Sequence, residues 1–270
     1  SRQLCITIDR STLYVNNRFH VAAYDLNSNG RRLWQSPPPP DRGKTRDWQL
    51  VSMRPVLTDR NIFVRQLSKS GPVLIALDRA DGKHVWVTQP QKDEQLLSDP
   101  VLAHGKLFAL MLRDLPRGDD MLRLVSFALE TGEPIDSHDL INMRDSWDER
   151  RVCATTALPG GILACLGGFV MNVDFAGNVR WVREQLMVPA DQESSWVQQR
   201  FDPPLIVGDR VIVASPGVRT VECLSRDYGE LAWRSILPDV QRLVAVADGN
   251  AVVHAGDELI ALDMANGQER

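Results

Sequence analysis

The chain has 270 residues, of which 43% are hydrophobic, and a formal net charge of −4 at pH 7. This length is enough to bury a substantial core, and all-β folds of this size often form one domain. The sequence has no apolar run of about 18 residues, which excludes a conventional membrane-spanning helix. Its negative charge argues against a nucleic-acid partner, which normally requires a basic patch.

A short phrase returns six times along the chain, at intervals of about 40 to 50 residues. It consists of a few apolar residues, a polar turn and a glycine, and in four cases a tryptophan follows four positions later. In chain order the phrases contain Gly30 and Trp34, Gly82 and Trp86, Gly132 and Asp136, Gly177 and Trp181, Gly229 and Trp233, and Gly267. A repeat of this length indicates a solenoid, a propeller or another array of similar units.

Each phrase predicts a β-hairpin. The apolar residues before the turn are typical of a short buried strand, and the glycine permits the left-handed conformation that closes a tight hairpin. The tryptophan then falls on the following strand, where it can pack against a neighbouring unit. We therefore expect Trp34, Trp86, Trp181 and Trp233 to join units together rather than to contact a ligand.

A second hairpin signal lies upstream of every phrase. It is a strand, a turn of Asp, Gly, Asn or Pro, and another strand, and it occurs at residues 6–15, 55–64, 100–109, 155–164, 204–213 and 244–253. Each repeat therefore holds four short strands, A to D, and no segment shows a sustained helical period. The predicted fold is an all-β β-propeller of four-stranded antiparallel blades with six visible repeats, alone or within a seven- or eight-bladed propeller.

We predict a single β-propeller domain over residues 1–270, with blades at approximately 3–36, 50–89, 96–139, 152–184, 202–236 and 242–270. The sixth phrase reaches Arg270 one residue before its tryptophan position, so strand D of the last blade is expected to be missing. This favours a fragment of a longer chain over a short blade that is closed in another way. An unpaired edge in an incomplete last blade would also permit association with another chain.

The phrases resemble the blade signature of the PQQ-like repeat propellers: Ala-Leu-Asp, three residues, Gly, three residues and Trp. Residues 76–86 (ALDRADGKHVW) match this signature throughout, whereas the third repeat has Asp136 in place of the tryptophan. The family includes quinoprotein alcohol dehydrogenases and the propeller lipoprotein of the outer-membrane barrel-assembly machinery. The resemblance implies an extracytoplasmic protein of the periplasm or cell envelope.

Loop lengths indicate where a partner would bind. In a four-strand meander the A–B and C–D turns leave one end of the sheet, and the B–C and D–A connections leave the other. The long segments are assigned to the second end, at residues 36–51, 88–97, 113–123, 139–151 and 183–202. Because long loops on a rigid scaffold often carry function, we expect a binding face there, with tolerated insertions as the alternative.

Seven residues at this end are candidates for binding. Three are tryptophans in polar loops, which either cap a blade or form part of a hot spot for a partner: Trp48, Trp147 and Trp196. Four are charged residues near the starts of A strands, which would suit a polar ligand or pair with one another: Arg54, Asp99, Asp202 and Arg242.

Catalytic constellations are not evident. The five histidines lack metal-ligand spacing, so we predict no catalytic residue and no metal site. The quinoprotein resemblance would imply an adjacent cysteine pair, a tryptophan platform and a calcium site, but Cys5, Cys153, Cys165 and Cys223 are not adjacent, and no cofactor is expected. Cys153 and Cys165 flank a turn and are expected to lie opposite each other, as free thiols in preference to a disulfide.

The sequence thus favours a non-enzymatic binding or scaffolding propeller that holds a protein, peptide or glycan on its long-loop face. One alternative is a PQQ-dependent quinoprotein-like oxidoreductase, which the separated cysteines disfavour. The other is a purely structural module of a larger multidomain protein.

Overall fold

The structure is a computed structural model that describes residues 4–17, 19–39, 54–69, 71–88, 91–116, 119–143, 153–166, 169–184, 202–215 and 219–270. Across these residues the regular elements are β-strands, apart from one 3-10 turn at Leu26–Ser28. They form six antiparallel meanders, which we call blades 1 to 6 in chain order. The chain divides into two compact units, Ser1–Ser146 and Trp147–Arg270. That residues 1–270 form a single domain stays a prediction.

The first unit holds blades 1 to 3. Blade 1 consists of β1 (Cys5–Asp9), β2 (Thr12–Asn16), β3 (Val21–Asp25) and β4 (Arg31–Gln35). Blade 2 consists of β5 (Val56–Leu57), β6 (Asn61–Ser68), β7 (Gly71–Asp78) and β8 (His84–Val87). Blade 3 has five strands: β9 (Glu94–Leu96), β10 (Val101–Ala103), β11 (Lys106–Asp114), β12 (Asp120–Ala128) and β13 (Pro134–Met143).

The second unit holds blades 4 to 6. Blade 4 consists of β14 (Cys153–Leu158), β15 (Gly161–Leu166), β16 (Phe169–Asp174) and β17 (Val179–Glu184). Blade 5 consists of β18 (Leu205–Val207), β19 (Arg210–Ser215), β20 (Thr220–Ser225) and β21 (Leu231–Ile236). Blade 6 has three strands: β22 (Val240–Ala247), β23 (Asn250–Ala255) and β24 (Glu258–Asp263).

The glycine phrases form the C–D hairpins, and Gly82 in blade 2 shows how. Its φ of 72° is left-handed, its N–H donates to the carbonyl of Asp78 at 2.8 Å, and the Asp78 carboxylate accepts from the N–H of Ala80 at 2.7 Å. The pairing of β7 with β8 then skips Val85, so that Trp86 faces Ala76. The other C–D hairpins of blades 1 to 5 have the same shift in register. A β-bulge of this kind re-aims the next side chain, which is the tryptophan in four of these blades and Asp136 in blade 3.

Blade 3 differs from the sequence prediction at two loops. Segment 88–97 was expected to be a loop but contains β9, which pairs antiparallel with the end of β11. Segment 113–123 was also expected to be a loop, yet β11 and β12 remain paired as far as Asp114 and Asp120. Its charged residues, with Pro116 and Gly118, suggested a loop, whereas the backbone pairing of the two strands continues into the charged residues Arg113 and Asp114.

The expected pairing of Cys153 with Cys165 is wrong by one residue. Leu158 pairs with Gly161 across a two-residue turn, so Cys153 faces Leu166 and Cys165 faces Ala154. Because side chains alternate between the two faces of a strand, a shift of one residue places the two thiols on opposite faces of the sheet. All four cysteines lie in the described part of the chain, and none of them is in a disulfide.

Blade 6 is a three-stranded sheet, and its outer strand β24 is followed by a short return of the chain. Leu262 forms an isolated bridge with Glu269, and the N–H of Arg270 donates to the carbonyl of Ala261 at 3.0 Å. Residues 269 and 270 therefore run beside β24 without forming a fourth strand in the described part of the chain.

Candidate functional site

The repeated tryptophans lie between neighbouring blades of the same unit. The glycine of the next C–D turn lies directly against each indole, and a Cβ on Gly132, for example, would lie 2.6 Å from Cδ2 of Trp86. Each indole N–H also donates to the carbonyl three residues before that glycine, as Trp86 does to Leu129 at 2.8 Å. The same arrangement joins Trp34 to Gly82, Trp181 to Gly229 and Trp233 to Gly267.

A second contact joins neighbouring blades near their A strands. The hydroxyl of Thr7 on β1 donates to the carbonyl of Pro55 at 2.8 Å, and that of Thr156 on β14 donates to the carbonyl of Pro204 at 2.7 Å. The same threonine-to-proline bond therefore joins blade 1 to blade 2 and blade 4 to blade 5. Blades 1 and 2, and likewise blades 4 and 5, are therefore joined at two separate points: the C–D turn and the start of the A strand.

Asp136 occupies the tryptophan position of blade 3. It is exposed, and its carboxylate lies 3.2 Å from Nε2 of His138 on the same strand. The third repeat therefore presents a polar pair where the other complete repeats present an indole.

Two of the predicted binding residues pair with each other in the second unit. Asp202 accepts from the N–H of Leu243 at 2.8 Å, and its other carboxylate oxygen lies 3.4 Å from the guanidinium of Arg242. Because only 12% of the Asp202 side chain is exposed, these bonds attach the start of blade 5 to β22 of blade 6. The geometry matches the alternative in which the charges pair with one another.

The other two predicted charged residues belong to a cluster in the first unit. Burial raises the pKa of Asp99 to about 7, against the opposing influence of Arg65 and Arg54. Arg65 on β6 is itself buried and donates to the carbonyls of Leu96 and Leu97, while Arg54 is exposed. The sequence analysis missed Arg65, although a charged residue within an apolar strand was the available signal.

Glu222 on β20 is a further buried charge that the sequence analysis missed. Its side chain is 2% exposed and accepts from Nε of Arg234 at 2.7 Å, and its second oxygen lies 3.5 Å from Arg183. Arg183 belongs to blade 4 and Arg234 to blade 5, so one carboxylate links two blades. A glutamate within an apolar strand was again the signal.

Trp48, Trp147 and Trp196 lie outside the described residues, and their role as binding residues stays a prediction. The topology does fix where the segments that carry them begin. In every four-stranded sheet the antiparallel order directs the D–A connections to the end opposite the A–B and C–D turns. The longest of them connect Gln35 to Val56 and Glu184 to Leu205. We call this the long-loop end of each blade and the opposite one its tight-turn end.

A cleft of about 410 Å³ lies between blades 2 and 3. Four buried apolar side chains form its floor: Leu96, Met111, Val125 and Phe127. Arg123 lies at one side, where it donates to Glu94 at 2.6 Å, to Asp139 at 2.8 Å and to the hydroxyl of Ser137. Glu133 is exposed at the turn between β12 and β13, on the same lining.

A second and shallower cleft of about 820 Å³ lies at the tight-turn end of blades 1 and 2, with Leu33 and Glu130 in its lining. Arg79 crosses it and donates to the hydroxyl of Tyr14 at 2.9 Å, to the carbonyl of Thr58 at 3.0 Å and to Asp9. These bonds occupy the guanidinium and join blade 1 to blade 2, so this cleft is primarily a packing feature.

The described residues do not fit a calcium-linked quinone. They contain no group of three or more His, Cys, Asp or Glu side chains that could hold a metal ion. Burial raises the pKa of both Cys165 and Cys223, so both thiols stay protonated near neutral pH. No catalytic step through such a group follows from this arrangement.

The successive four-stranded sheets, with tryptophan-to-glycine junctions between blades of one unit, define a β-propeller of the PQQ-like repeat class. The family of the outer membrane protein assembly factor BamB matches residues 17–270, and the chain belongs to this family. Both the predicted fold class and the predicted family are confirmed. No curated protein matches the sequence significantly.

Solved structures with the same fold come from several kinds of protein. BamB from Moraxella catarrhalis is 18% identical with a TM-score of 0.64, and the alignment covers 96% of this chain and 72% of that one. Quinohemoprotein alcohol dehydrogenase from Comamonas testosteroni is 13% identical with a TM-score of 0.60, and the alignment covers 100% of this chain and 66% of that one. The Neurospora crassa Pan2 WD40 domain is 10% identical with a TM-score of 0.57, and the alignment covers 98% of this chain and 77% of that one. At these identities the likeness is one of fold.

The described part of the chain contains no helix with the length and hydropathy needed to cross a lipid bilayer.

Proposed function

We propose that this chain is a non-enzymatic scaffold of the cell envelope that binds a protein partner through its long-loop end. The observation that carries the proposal is that the longest connection of each unit leaves its sheet at the end opposite the tight turns of that sheet. Membership of a family of outer membrane protein assembly factors supports a protein as the partner.

The rigidity of the blades supports this proposal. Indoles, threonine hydroxyls and the Glu222 carboxylate fix neighbouring sheets within each unit, so the ends of the strands hold the loop attachments in place. Binding residues are commonly carried on loops that a rigid scaffold positions. Trp48, Trp147 and Trp196 are of the type that dominates protein interfaces, and we propose them as the contact residues.

Site-specific photo-crosslinking tests the proposal in cells. The photoreactive residue p-benzoylphenylalanine replaces Trp48 or Trp196 at the long-loop end, and Asp59 or Tyr228 at the tight-turn end as matched controls. Asp59 and Tyr228 are exposed and lie in different units. We expect the long-loop positions to crosslink to one protein species, identified by mass spectrometry, and the controls to give none.

Two results would contradict the proposal. Equal crosslinking from both ends would show that binding is not confined to the long-loop end. The absence of any protein adduct would indicate a glycan or no partner. Osmotic-shock fractionation tests the location separately, since the protein is expected in the envelope fraction.

A further inference from the structure

The cleft between blades 2 and 3 has the size and shape of a binding site for a few side chains. Its volume of about 410 Å³ falls within the range of roughly 300–1,000 Å³ that is typical of ligand sites. Its floor is built from side chains of the core shared by these blades: Leu96, Met111, Val125 and Phe127. Because packed core residues hold fixed rotamers, the floor is preformed and apolar.

The rim of this cleft is acidic. Arg123 is the cation in its lining, and Glu94, Asp139 and Ser137 engage all three guanidinium nitrogens. Glu94 lines the cleft, and Asp139 lies outside the lining but also pairs with Arg123, so two carboxylates offset its one positive charge. Glu133 adds an exposed carboxylate to the lining. A ligand that complements this cleft carries a basic group for the acidic rim beside an apolar group for the floor, and an anionic ligand is disfavoured.

Strand β9 makes this part of blade 3 more rigid than a loop. It pairs with β11 from Glu94 to Leu96, so a side chain of the floor and a carboxylate of the rim lie on one hydrogen-bonded strand. Sites held on strands are more exactly positioned than sites on loops.

We propose that this cleft binds an extended peptide segment that places an apolar side chain on the floor and a basic side chain against the acidic rim. The site is separate from the long-loop contact residues and does not depend on the proposed function.

Methionine-methyl NMR of the full chain tests the proposal. The probe is the peptide acetyl-KLKLK-amide, and the reporter is the methyl resonance of Met111, assigned with Met111→Leu. Acetyl-KSKSK-amide removes the apolar side chains and acetyl-ELELE-amide reverses the charge. Glu133→Lys alters the rim, and Glu130→Lys is its matched control, because Glu130 is exposed on the same turn but lines the other cleft.

We expect acetyl-KLKLK-amide to shift the Met111 resonance saturably and the two control peptides to leave it unchanged. Glu133→Lys should weaken binding by about three- to tenfold, as expected for the reversal of one exposed charge contact, and Glu130→Lys by less than about twofold. The proposal would be overturned if Met111 failed to respond, if acetyl-ELELE-amide bound equally well, or if both lysine variants weakened binding to the same extent.

Discussion

The sharpest prediction concerns Gly132→Ala, which adds a methyl group where the glycine of one blade packs against the tryptophan of the blade before it. Gly132 and Gly30 occupy the same turn position in different blades, with φ values of 70° and 73°. An added Cβ would meet nothing within 4 Å at Gly30, but at Gly132 it would lie 2.6 Å from Cδ2 of Trp86. Alanine in a left-handed conformation costs roughly 1–2 kcal/mol at either position, so the difference between the two variants isolates the indole contact.

The size of this difference follows from the geometry. Carbon atoms normally approach to about 3.5–4.0 Å, so the indole must move by about 1 Å and weaken its 2.8 Å bond to the carbonyl of Leu129. That bond contributes about 1 kcal/mol, and overpacking in a core costs about 1–3 kcal/mol. Gly132→Ala should therefore lower the free energy of unfolding by about 2–4 kcal/mol more than Gly30→Ala.

Urea unfolding followed by far-UV circular dichroism measures the difference. In a Trp86→Ala background the obstruction is gone, and Gly132→Ala should cost no more than Gly30→Ala does. The reasoning would be refuted if the two glycine variants differed by less than about 0.5 kcal/mol in the wild-type background, or if the difference persisted without the indole.

Three further predictions concern buried or partly buried polar groups. Since the pKa of Asp99 is raised from 3.8 to about 7, the folded state keeps a proton that the unfolded state releases. Asp99→Asn should therefore gain stability over wild type by about 3 kcal/mol as the pH rises from 4 to 7, and equal pH profiles in urea titrations would contradict this. Glu222→Gln should cost about 2 kcal/mol, because it leaves Arg183 and Arg234 without their carboxylate, and a thermal midpoint unchanged from wild type would exclude the link. Thr156→Val removes the donor to a proline carbonyl and should cost about 1 kcal/mol in urea unfolding, with Thr12→Val at the start of β2 as a comparison.

The repeated phrase made the fold predictable because its glycine and turn residues have local, steric reasons for their positions. Gly82 needs a left-handed φ and lies against the indole of Trp34, so the spacing of such residues reports the spacing of blades. Composition was less reliable in blade 3, where charged residues line strands that remain paired. The turn between β14 and β15 has two residues, so Cys153 and Cys165 lie on opposite faces of the sheet and do not face each other as expected.

The site was harder to predict because its charges meet across blades. Asp202 and Arg242 were both named from the sequence, yet their pairing depends on how β22 lies beside the start of blade 5. Arg65 and Glu222 interrupt apolar strands, which is a visible signal, but their partners come from residues far along the chain. Periodicity identifies strands and their faces, whereas such pairings require the packing of one sheet against the next.

The junctions also have a direction along the chain. Each indole is synthesised before the carbonyl that accepts its N–H, which comes 45 residues later for Trp34, 43 for Trp86, 45 for Trp181 and 31 for Trp233. A blade emerging from the ribosome therefore lacks the protein acceptor of its indole until its successor has been made, so each junction within a unit can close only after the following blade has been synthesised.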